Sequence, residues 1–478
     1  MFRHVRYEDG HGLTEDKKVT LPARAIFMAA GAMPNTIYEQ EYPGTFRLEE
    51  NHFLPHLEHP NGVQPVQVAE HCKAQEFGIF TSYYKNNHYV SFIGDTNPAF
   101  SGSVVKAIAS ARRGYPKIVE AVSQQPLAKG REESTYEEFR QRMQELLQPY
   151  VAEVHCDNPA MTELWVHAPM AARNFRPGQI FRLQTFESTS QIVEDTRLQV
   201  PLLTVSGTGI KDDMVRLLVL QWGAGPRLAG RLQTGDPLVL MGPTGAATDI
   251  PHNKTVLVVA GRWGAAVMLD IGAALRAAGN KVLYVASFGH AEDVDHQDEL
   301  EAAADQIIWC TASAPTIEPR RKQDLSTQAT DMVDLIQRYD SGEWSAADTA
   351  RIPLKQVDRI MVMGGSGLLM GFQQALRGSL QHIFKPDVQA VATVGSPMQC
   401  MLKGVCAQCL QWQVDPDTGA RTRVVFSCAQ QEQPLFWVDI DNLAARQMQN
   451  RMSDRLSSLW LDYLLRREKH DPEKQKDL

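Results

Sequence analysis

The sequence predicts a chain of mixed α/β and β class. A partial α/β domain is expected first, then an antiparallel β-barrel, a second α/β domain and a cysteine-rich C-terminal segment. Short apolar runs separated by turn residues recur between residues 149 and 250, which is typical of a small barrel. The stretch "KTVLVVAGRWGAAVMLDIGAALRAAGNKVLYVASFG" then has the strand, glycine turn, helix and strand of a βαβ unit. Four of the seven cysteines lie near the end of the chain.

Composition limits the functions to consider. The chain has 478 residues, of which 43% are hydrophobic and 22% charged, as in a globular protein of several domains. A net charge of −8 argues against nucleic acid as a partner. The first residues, "MFRHVRYEDGHG", lack the apolar core of a signal peptide, and Arg262 and Asp270 interrupt the most apolar stretch. We therefore expect no membrane span, a cytoplasmic location and reduced cysteines.

The first 125 residues predict the end of an α/β domain. One strand is expected to end at Ala29–Gly31, and another at Gly94–Asp95, followed by a loop and a helix from about Gly102. An aspartate in such a turn is commonly structural. No G-x-G-x-x-G fingerprint precedes Ala29, and half of an α/β domain would leave apolar sheet edges uncovered, so we expect this region to need a partner segment in order to fold.

Two glycine turns indicate a nucleotide site in the second α/β domain. Gly261 and Gly264 would let a pyrophosphate approach the start of a helix, where amides and the helix dipole favour anions. Gly364 and Gly365 repeat the pattern in "VDRIMVMGGSGLLMGFQQALRG". A single such turn is usually only a tight connection, but two in this order favour nucleotide binding. Between them, the polar residues 311–351 predict an insertion or long loop around an apolar "MVDLIQRY".

The late cysteines have the spacing C-x5-C-x2-C-x18-C. Structural zinc sites usually contain two close pairs, and only one is present. The plant-type [2Fe–2S] spacing, C-x4-C-x2-C…C, differs by one residue. We therefore favour a [2Fe–2S] cluster, while zinc and a metal-free segment stay open. The turn "DPDTG" between two β-rich runs predicts a hairpin that returns Cys428 to the other three cysteines.

The order of these features resembles the ferredoxin–NADP reductase superfamily, in particular the electron-transfer subunit of dihydroorotate dehydrogenase. "RPGQIFRL" is similar to that family's flavin-bordering strand, and "LQWGAGPRLAGRLQTGDPLVLMGPTG" to its glycine turn, "GD" and "GPxG" run. The family uses an arginine just before a "P-[FL]-[ST]" element to neutralise the flavin's phosphates. Here Val200 stands in that position, and Arg197 lies three residues earlier.

The N-terminal region resembles a different family, the small subunit of glutamate synthase and its relatives. In those proteins the "GD" aspartate contacts the ribityl chain of the flavin, and the next helix begins beside the flavin. By resemblance Asp95 takes that role, with Gly94, Gly102 and Ser103 nearby.

Together the resemblances imply an NAD(P)H-dependent FAD/[2Fe–2S] oxidoreductase within a larger glutamate synthase-like enzyme. Its partners would be NAD(P)H, a missing N-terminal flavoprotein half or partner subunit, and a downstream redox partner. Two alternatives stay open: a dedicated electron-transfer subunit of a dihydroorotate dehydrogenase-type enzyme, and a non-enzymatic zinc-bound assembly protein with a degenerate reductase fold. Val200 and Trp263, a bulky residue in the first glycine turn, favour the second.

The expected segments, in chain order, are the C-terminal part of an FAD/NAD(P)-dependent domain (1–125), a linker with a docking helix (126–148), an FAD-binding β-barrel (149–250), an NAD(P)-binding domain (251–393), a [2Fe–2S] segment (394–440), and a C-terminal helix with a charged tail (441–478). The expected cofactor-binding residues are Gly94, Asp95, Gly102, Ser103, Arg176, Pro177, Gly178, Gln179, Pro201, Thr204, Ser206, Gly223, Gly225, Gly261, Gly264, Gly364 and Gly365. The expected cluster ligands are Cys400, Cys406, Cys409 and Cys428.

Overall fold

The structure is a computed structural model. It describes residues 2–8, 11–20, 34–69, 71–123, 133–158, 160–343, 351–394 and 409–469. Two compact units account for them: Met1–Thr36 with Arg47–Glu120, and Ile37–Phe46 with Ala121–Leu478. The strand expected to end at Ala29–Gly31 lies outside the described residues.

Helices occur in both units. The α-helices are α1 (Ile37–Glu41), α2 (Val104–Ser123), α3 (Glu133–Leu147), α4 (Pro169–Asn174), α5 (Ala224–Ala229), α6 (Arg262–Ala277), α7 (Gln297–Ala303), α8 (Met332–Ser341), α9 (Ser366–Ala375), α10 (Ile440–Gln447) and α11 (Arg451–Lys469). None of the helices in these described stretches is long and apolar enough to cross a membrane.

The first unit is built from short strands and helix α2. Its strands are β1 (Phe2–Glu8), β2 (His11–Val19), β3 (Leu48–Glu49), β4 (His52–Phe53), β5 (His56–His59), β6 (Gly62–Pro65), β7 (Phe80–Lys85) and β8 (His88–Ser91). Strands β1 and β2 form a hairpin, and four strands form a sheet in the order β6-β5-β7-β8. Aromatic rings fill the core, where Phe77 and Phe100 meet edge to face with centroids 5.1 Å apart.

The second unit contains an antiparallel sheet that closes on itself. Its strands are β9 (Tyr150–His155), β10 (Met161–His167), β11 (Ile180–Thr185), β14 (Leu203–Lys211), β15 (Met214–Leu220) and β16 (Leu238–Thr244). Their order in the sheet is β16-β11-β14-β15-β10-β9. Between β11 and β14 in the chain, β12 (Ile192–Val193) and β13 (Thr196–Arg197) form a separate two-stranded sheet. The edge strands meet where Val151 N donates to Asp236 O over 2.9 Å and Leu238 N to Pro149 O over 3.0 Å. These bonds close the sheet into a barrel, and the predicted antiparallel architecture is confirmed.

A seven-stranded, mainly parallel sheet follows. Its strands are β17 (Thr255–Ala260), β18 (Lys281–Phe288), β19 (Gln306–Thr311), β20 (Leu325–Gln328), β21 (Arg359–Met363), β22 (Gln389–Thr393) and β25 (Glu432–Pro434). Their order is β20-β19-β18-β17-β21-β22-β25, and only β25 runs antiparallel to its neighbour. Apolar clusters cover both faces, with Trp309 and Tyr284 in one and Phe372 and Leu335 in the other. Burial on both faces explains the continuous apolar runs of these strands.

The prediction of a polar insertion over 311–351 is wrong. Strand β20 extends the sheet within this region, and helix α8 packs on one face of the sheet with Leu335, Ile336 and Tyr339 buried. The apolar residues lie on one side of a short helix, and most of the described polar residues before it are exposed or half-buried. An edge strand and a core helix therefore lie within a stretch whose average composition is polar.

The predicted hairpin after Cys409 is confirmed. Strands β23 (Leu410–Val414) and β24 (Arg421–Phe426) pair antiparallel, with Leu410 opposite Phe426. Farther on, helix α11 docks on the barrel: Leu461 and Leu464 are buried, and Asp462 is 2.7 Å from Arg227 of α5.

Candidate functional site

The two glycine turns lie side by side at the carboxyl ends of neighbouring strands in the parallel sheet. The chain moves from β17 through β18 and β19 to β20 on one side, and then returns to place β21 on the other side of β17. This reversal is a topological switch point, where α/β sheets bind ligands outside the carboxyl ends of their strands. Gly261 follows β17 and Gly364 follows β21, and Gly261 N donates to Met363 O over 3.3 Å. The structure thus joins two distant motifs in one crevice.

The glycines of this crevice fall into two kinds. A Cβ on Gly264 would lie 2.5 Å from Ala260 Cβ and 3.0 Å from Met363 Cβ, so this glycine lets α6 pack tightly against β17 and β21. A Cβ on Gly365 would meet no atom within 4 Å, and one on Gly261 would only approach Ser287 O at 4.0 Å. Gly264 therefore serves packing, whereas Gly261 and Gly365 leave room above the N-termini of α6 and α9. That room suits the close backbone approach that a phosphate requires.

Two buried hydroxyls lie at the same edge of the sheet. Thr311 ends β19 and Thr393 ends β22, and both are at most 5% exposed. Neither Oγ1 has a hydrogen-bond partner in the described part of the chain. Buried polar groups normally find a partner, so this edge has unused hydrogen-bonding capacity on both sides of the crevice.

The "RPGQ" turn is held from three directions. Gln179 Nε2 donates to Gly245 O over 3.0 Å, and Gln179 Oε1 accepts from Arg176 N over 2.9 Å. Gln431, which follows the cysteine hairpin, donates to Gly178 O over 2.6 Å. Pro177 O accepts from Thr248 N over 2.9 Å. The Gln179 side chain is therefore occupied, and the turn is fixed to the segment after β16 and to the segment after the cysteine hairpin.

Asp270 also supports that turn. It lies on α6, only 9% exposed, and its Oδ2 accepts a hydrogen bond from Gly178 N. Burial raises the pKa of its carboxyl from 3.8 to about 7, against the opposing effects of the Gly178 hydrogen bond and the positive charge of Arg216. The turn of the barrel is thereby tied to α6, the helix that follows Gly261.

The "P-[FL]-[ST]" element that begins at Pro201 and the glycine turn before α5 come together. A Cβ on Gly225 would lie 2.6 Å from Pro201 Cγ, so only glycine permits this approach. Gly223 precedes α5 with φ of +91°, a conformation that favours glycine. Thr204 is exposed beside this contact, and Ser206, two residues along β14, points to the same face.

The expected arginine is absent from this contact. Val200 is 2% exposed and belongs to the barrel core, where its N donates to Thr185 Oγ1. Arg197 turns toward Glu187, donating to Glu187 O over 2.8 Å. A different arginine reaches the same element: Arg182 of β11, 1% exposed, donates from Nη2 to Leu202 O over 3.0 Å.

A charged network joins the barrel to α7. Arg216 of β15 lies 2.6 Å from Glu299, and His296 lies 2.7 Å from Glu163 of β10 and 3.2 Å from Glu299. The Glu163 and Glu299 carboxylates raise the pKa of His296 to about 9, and the Arg216 guanidinium lowers the pKa of Glu299 to about 2. His296 is therefore an imidazolium at neutral pH and completes the network.

The described cysteines of the late group are adjacent. Cys409 and Cys428 are 3% and 4% exposed and form one small cluster, against which Met241 and Phe426 pack. Ser427 N donates to Cys409 O over 3.3 Å at the open end of the hairpin. Cys400 and Cys406 lie outside the described residues. Among the residues that are described, no group of three or more histidine, cysteine, aspartate or glutamate side chains is arranged to hold a metal ion.

In the first unit, the residues predicted around Asp95 also come together. Asp95 Oδ1 accepts from Gly102 N over 3.1 Å, and Gly94 N donates to Ser110 Oγ of α2 over 2.6 Å. Ser103 Oγ accepts from Lys106 N over 3.3 Å at the start of α2. Gly94 and Gly102 have φ of +84° and +88°, with open space where a Cβ would lie. The aspartate closes a loop in front of the helix, as its structural interpretation requires.

Sequence reasoning missed Arg182, Asp270 and the His296 network. For Asp270 a signal existed, because a carboxylate inside the apolar run "AAVMLDIGAAL" must be either buried or functional. Arg182 stands between Phe181 and Leu183 in a barrel strand, where alternation places it on the outer face. No local pattern marks His296, whose partners are distant in sequence.

Comparisons with known proteins give partial matches. No family model matches the chain. It is 27% identical over 370 residues to an uncharacterized protein of Rickettsia prowazekii, covering 77% of this chain and 41% of that protein. It is 26% identical over 147 residues to a homologue of the dihydroorotate dehydrogenase B (NAD⁺) electron transfer subunit of Thermotoga maritima, covering 30% of this chain and 49% of that protein. The chain thus spans less than half the length of either relative.

Similar solved structures include an NADH-dependent reduced ferredoxin–NADP oxidoreductase, with a TM-score of 0.49 and 18% identity over 64% of this chain and 95% of that one. Another is a ferredoxin–NADP⁺ reductase of Neisseria gonorrhoeae with bound FAD and NADP, with a TM-score of 0.38 and 20% identity over 48% of this chain and 89% of that one. Because both TM-scores lie below 0.5, neither structure assigns a role to any residue here.

Proposed function

We propose that this chain is an electron-transfer flavoprotein module that takes electrons from NAD(P)H, passes them through FAD to a [2Fe–2S] cluster, and delivers them to a partner flavin or protein. The observation that carries the proposal is the meeting of Gly261 and Gly364 at the switch point of the parallel sheet. The sequence match to the Thermotoga electron transfer subunit homologue supports it.

We propose a place for each group. NAD(P)H would bind at the carboxyl edge of the sheet, with its phosphates above Gly261 and Gly365. FAD would lie on the outer face of the barrel beside Pro201, Thr204 and Ser206, with Gly223 and Gly225 toward its diphosphate. Bound FAD would accept a hydride, and the cluster would carry one electron at a time.

Cys409 and Cys428 support the cluster assignment. The hairpin brings the two thiols together, and they lie between the barrel and the parallel sheet: Ala429 O accepts from Ala246 N, and Gln431 O accepts from Val394 N. A reducing cytoplasm would keep them available as thiolate ligands, and Cys400 and Cys406 would be the remaining ligands. A cluster held here would stand close to both nucleotide sites.

A partner for the first unit is the other part of the proposal. Helix α2 exposes an apolar stripe of Val104, Ile108, Tyr115 and Val119, each between 58% and 75% exposed. Such a stripe on one helix face fits a covering segment, and we propose the N-terminal flavoprotein half or a partner subunit of a glutamate synthase-like enzyme. Limited proteolysis of the purified chain should cleave residues 1–125 first. A protease-resistant region there that retains FAD would refute the need for a partner.

The deciding experiment is the visible spectrum of anaerobically purified protein, with iron and acid-labile sulfide assayed on the same sample. We expect flavin and cluster absorption that NAD(P)H bleaches. Cys428→Ser should remove the iron and sulfide, while Cys156→Ser, an exposed cysteine outside the group, should not. A colourless protein that contains zinc would replace this proposal with the assembly-protein alternative.

NAD(P)H binding has its own matched pair of variants. Gly365→Ala adds a methyl group to open space, so the fold should tolerate it, and its Kd for NAD(P)H should rise about tenfold or more. Gly378→Ala, on the surface after α9 with only ordinary contact to Gln374 O, should bind as the wild type does. An unchanged Kd in Gly365→Ala would show that the nucleotide does not lie there.

A further inference from the structure

Arg182 occupies an unusual position for a charged residue. It is on barrel strand β11, 1% exposed, between Phe181 and Leu183, which both belong to the barrel core. Because side chains alternate along a strand, Arg182 lies on the opposite, outer face. It is therefore buried outside the barrel, under elements that pack against it.

Its neighbours connect the two proposed redox sites. On one side Arg182 pairs across the sheet with Thr204 of β14, and its Nη2 donates to Leu202 O over 3.0 Å. On the other side it pairs with Met241 of β16, which packs against Cys409 and Cys428. Adjacent strands lie about 4.8 Å apart, so Thr204 and Met241 are about 10 Å apart with Arg182 between them.

We propose that Arg182 sets the reduction potential of the flavin by placing a fixed positive charge between the flavin and the cluster cysteines. This inference rests on the proposed function. A guanidinium stays charged at any accessible pH, and its field acts more strongly in a buried site than in water. Electrons that arrive on either side of it add negative charge, so the arginine favours the reduced state. Arg182 also brings a positive charge from the neighbouring strand to the element that begins at Pro201, where Val200 stands in the place of the expected arginine.

A purely structural role makes a different prediction. If Arg182 only anchors the Leu202 carbonyl, its loss would lower stability and FAD content but leave the potential of the bound flavin unchanged. A potential-setting role changes the equilibrium between oxidised and reduced flavin in the protein that remains folded. The two roles separate in a redox titration of bound flavin.

The test compares Arg182→Met with Arg182→Lys and with Arg197→Gln, in full-length protein reconstituted with FAD. In a spectroelectrochemical titration, Arg182→Met should shift the flavin equilibrium at least tenfold toward the oxidised form, which is about 30 mV for a two-electron couple. Arg182→Lys, which keeps the charge, should stay within threefold of the wild type. Arg197→Gln should not shift it, because Arg197 turns toward Glu187.

Each outcome decides the question. Flavin bound by Arg182→Met at the wild-type potential overturns the inference. If Arg182→Met does not fold, Arg182→Gln decides, because glutamine removes the charge and can still donate a hydrogen bond to Leu202 O. A tenfold shift toward the oxidised form in Arg182→Gln supports the inference, and a wild-type potential overturns it. A wild-type protein that binds no flavin overturns the proposed function and this inference with it, which is distinguishable from an unchanged potential in the variant.

Discussion

Asp270 should make the second unit less stable as the pH rises, and Asp270→Asn should remove this dependence. The carboxyl is 9% exposed on α6, and burial raises its pKa from 3.8 to about 7. Asparagine has the same shape, and its Oδ1 can still accept the hydrogen bond from Gly178 N. The substitution therefore removes the ionisation and keeps the support of the "RPGQ" turn.

The sign and size follow from linkage between protonation and folding. Below about pH 4 the carboxyl is protonated in both states, so its ionisation has no effect on stability. Between about pH 4 and pH 7 only the unfolded chain ionises, so stability falls; above pH 7 both states are ionised and the loss is complete. From pH 5 to pH 8 the folded carboxyl resists ionisation over about two pH units. At about 1.4 kcal/mol per unit, Asp270→Asn should gain roughly 3 kcal/mol relative to the wild type across this range.

The assay is urea unfolding at pH 5 and at pH 8, followed by tryptophan fluorescence. Trp309 is fully buried in the sheet core that α6 covers, so it reports on the correct unit. Asp417→Asn is the matched control, since it removes an exposed carboxylate from the hairpin turn. It should change stability by less than about 0.5 kcal/mol at either pH.

A difference between Asp270→Asn and the wild type that stays constant from pH 5 to pH 8 would refute this reasoning. A wild type that gains on the variant as the pH rises would reverse the sign. The Gly178 hydrogen bond and the Arg216 charge would then outweigh burial, and Asp270 would be an ionised clamp on the turn.

Three further predictions concern packing and charge. His296→Gln should destabilise the protein by roughly 1–3 kcal/mol at pH 6, and this difference from the wild type should shrink between about pH 6.5 and pH 9 as the wild-type imidazolium loses its proton. Urea unfolding across that pH range tests the prediction, and a difference in stability that stays constant would contradict it. Gly264→Val should lower the stability of the fold by roughly 1–3 kcal/mol, because the valine side chain would overlap Ala260 and Met363. The control, Gly371→Ala in the middle of α9, should be neutral or stabilising by up to about 1 kcal/mol. Equal effects of the two variants in thermal unfolding would show that the crevice is not tightly packed. Leu464→Ala should weaken the docking of α11 by roughly 3 kcal/mol, whereas Leu456→Ala on the exposed side of the helix should have little effect. Tryptic cleavage of α11 at the same rate in both variants would show that Leu464 does not hold the helix in place.

Several elements were predictable because their signals are local. The turns at Gly261 and Gly364 separate strands from helices in the sequence itself. The "DPDTG" hairpin between two β-rich runs needs only neighbouring residues, and the structure has it as predicted. Alternating short runs likewise predict the antiparallel barrel, because a half-buried strand repeats every two residues. The roles of the individual site residues stay predictions.

The sequence by itself determined the fold class, the barrel strands, the two glycine turns and the return of Cys428 to Cys409, because each follows from periodicity or turn chemistry over a few residues. Only the tertiary structure decided that α8 belongs to the core, that Val200 is buried in the barrel, and that Arg182 lies between Thr204 and Met241. Burial and cross-strand pairing depend on which distant segments meet. The physical reason is that a charge such as Arg182 or His296 has the same local sequence pattern whether water or packed protein surrounds it, and only the fold decides between the two environments.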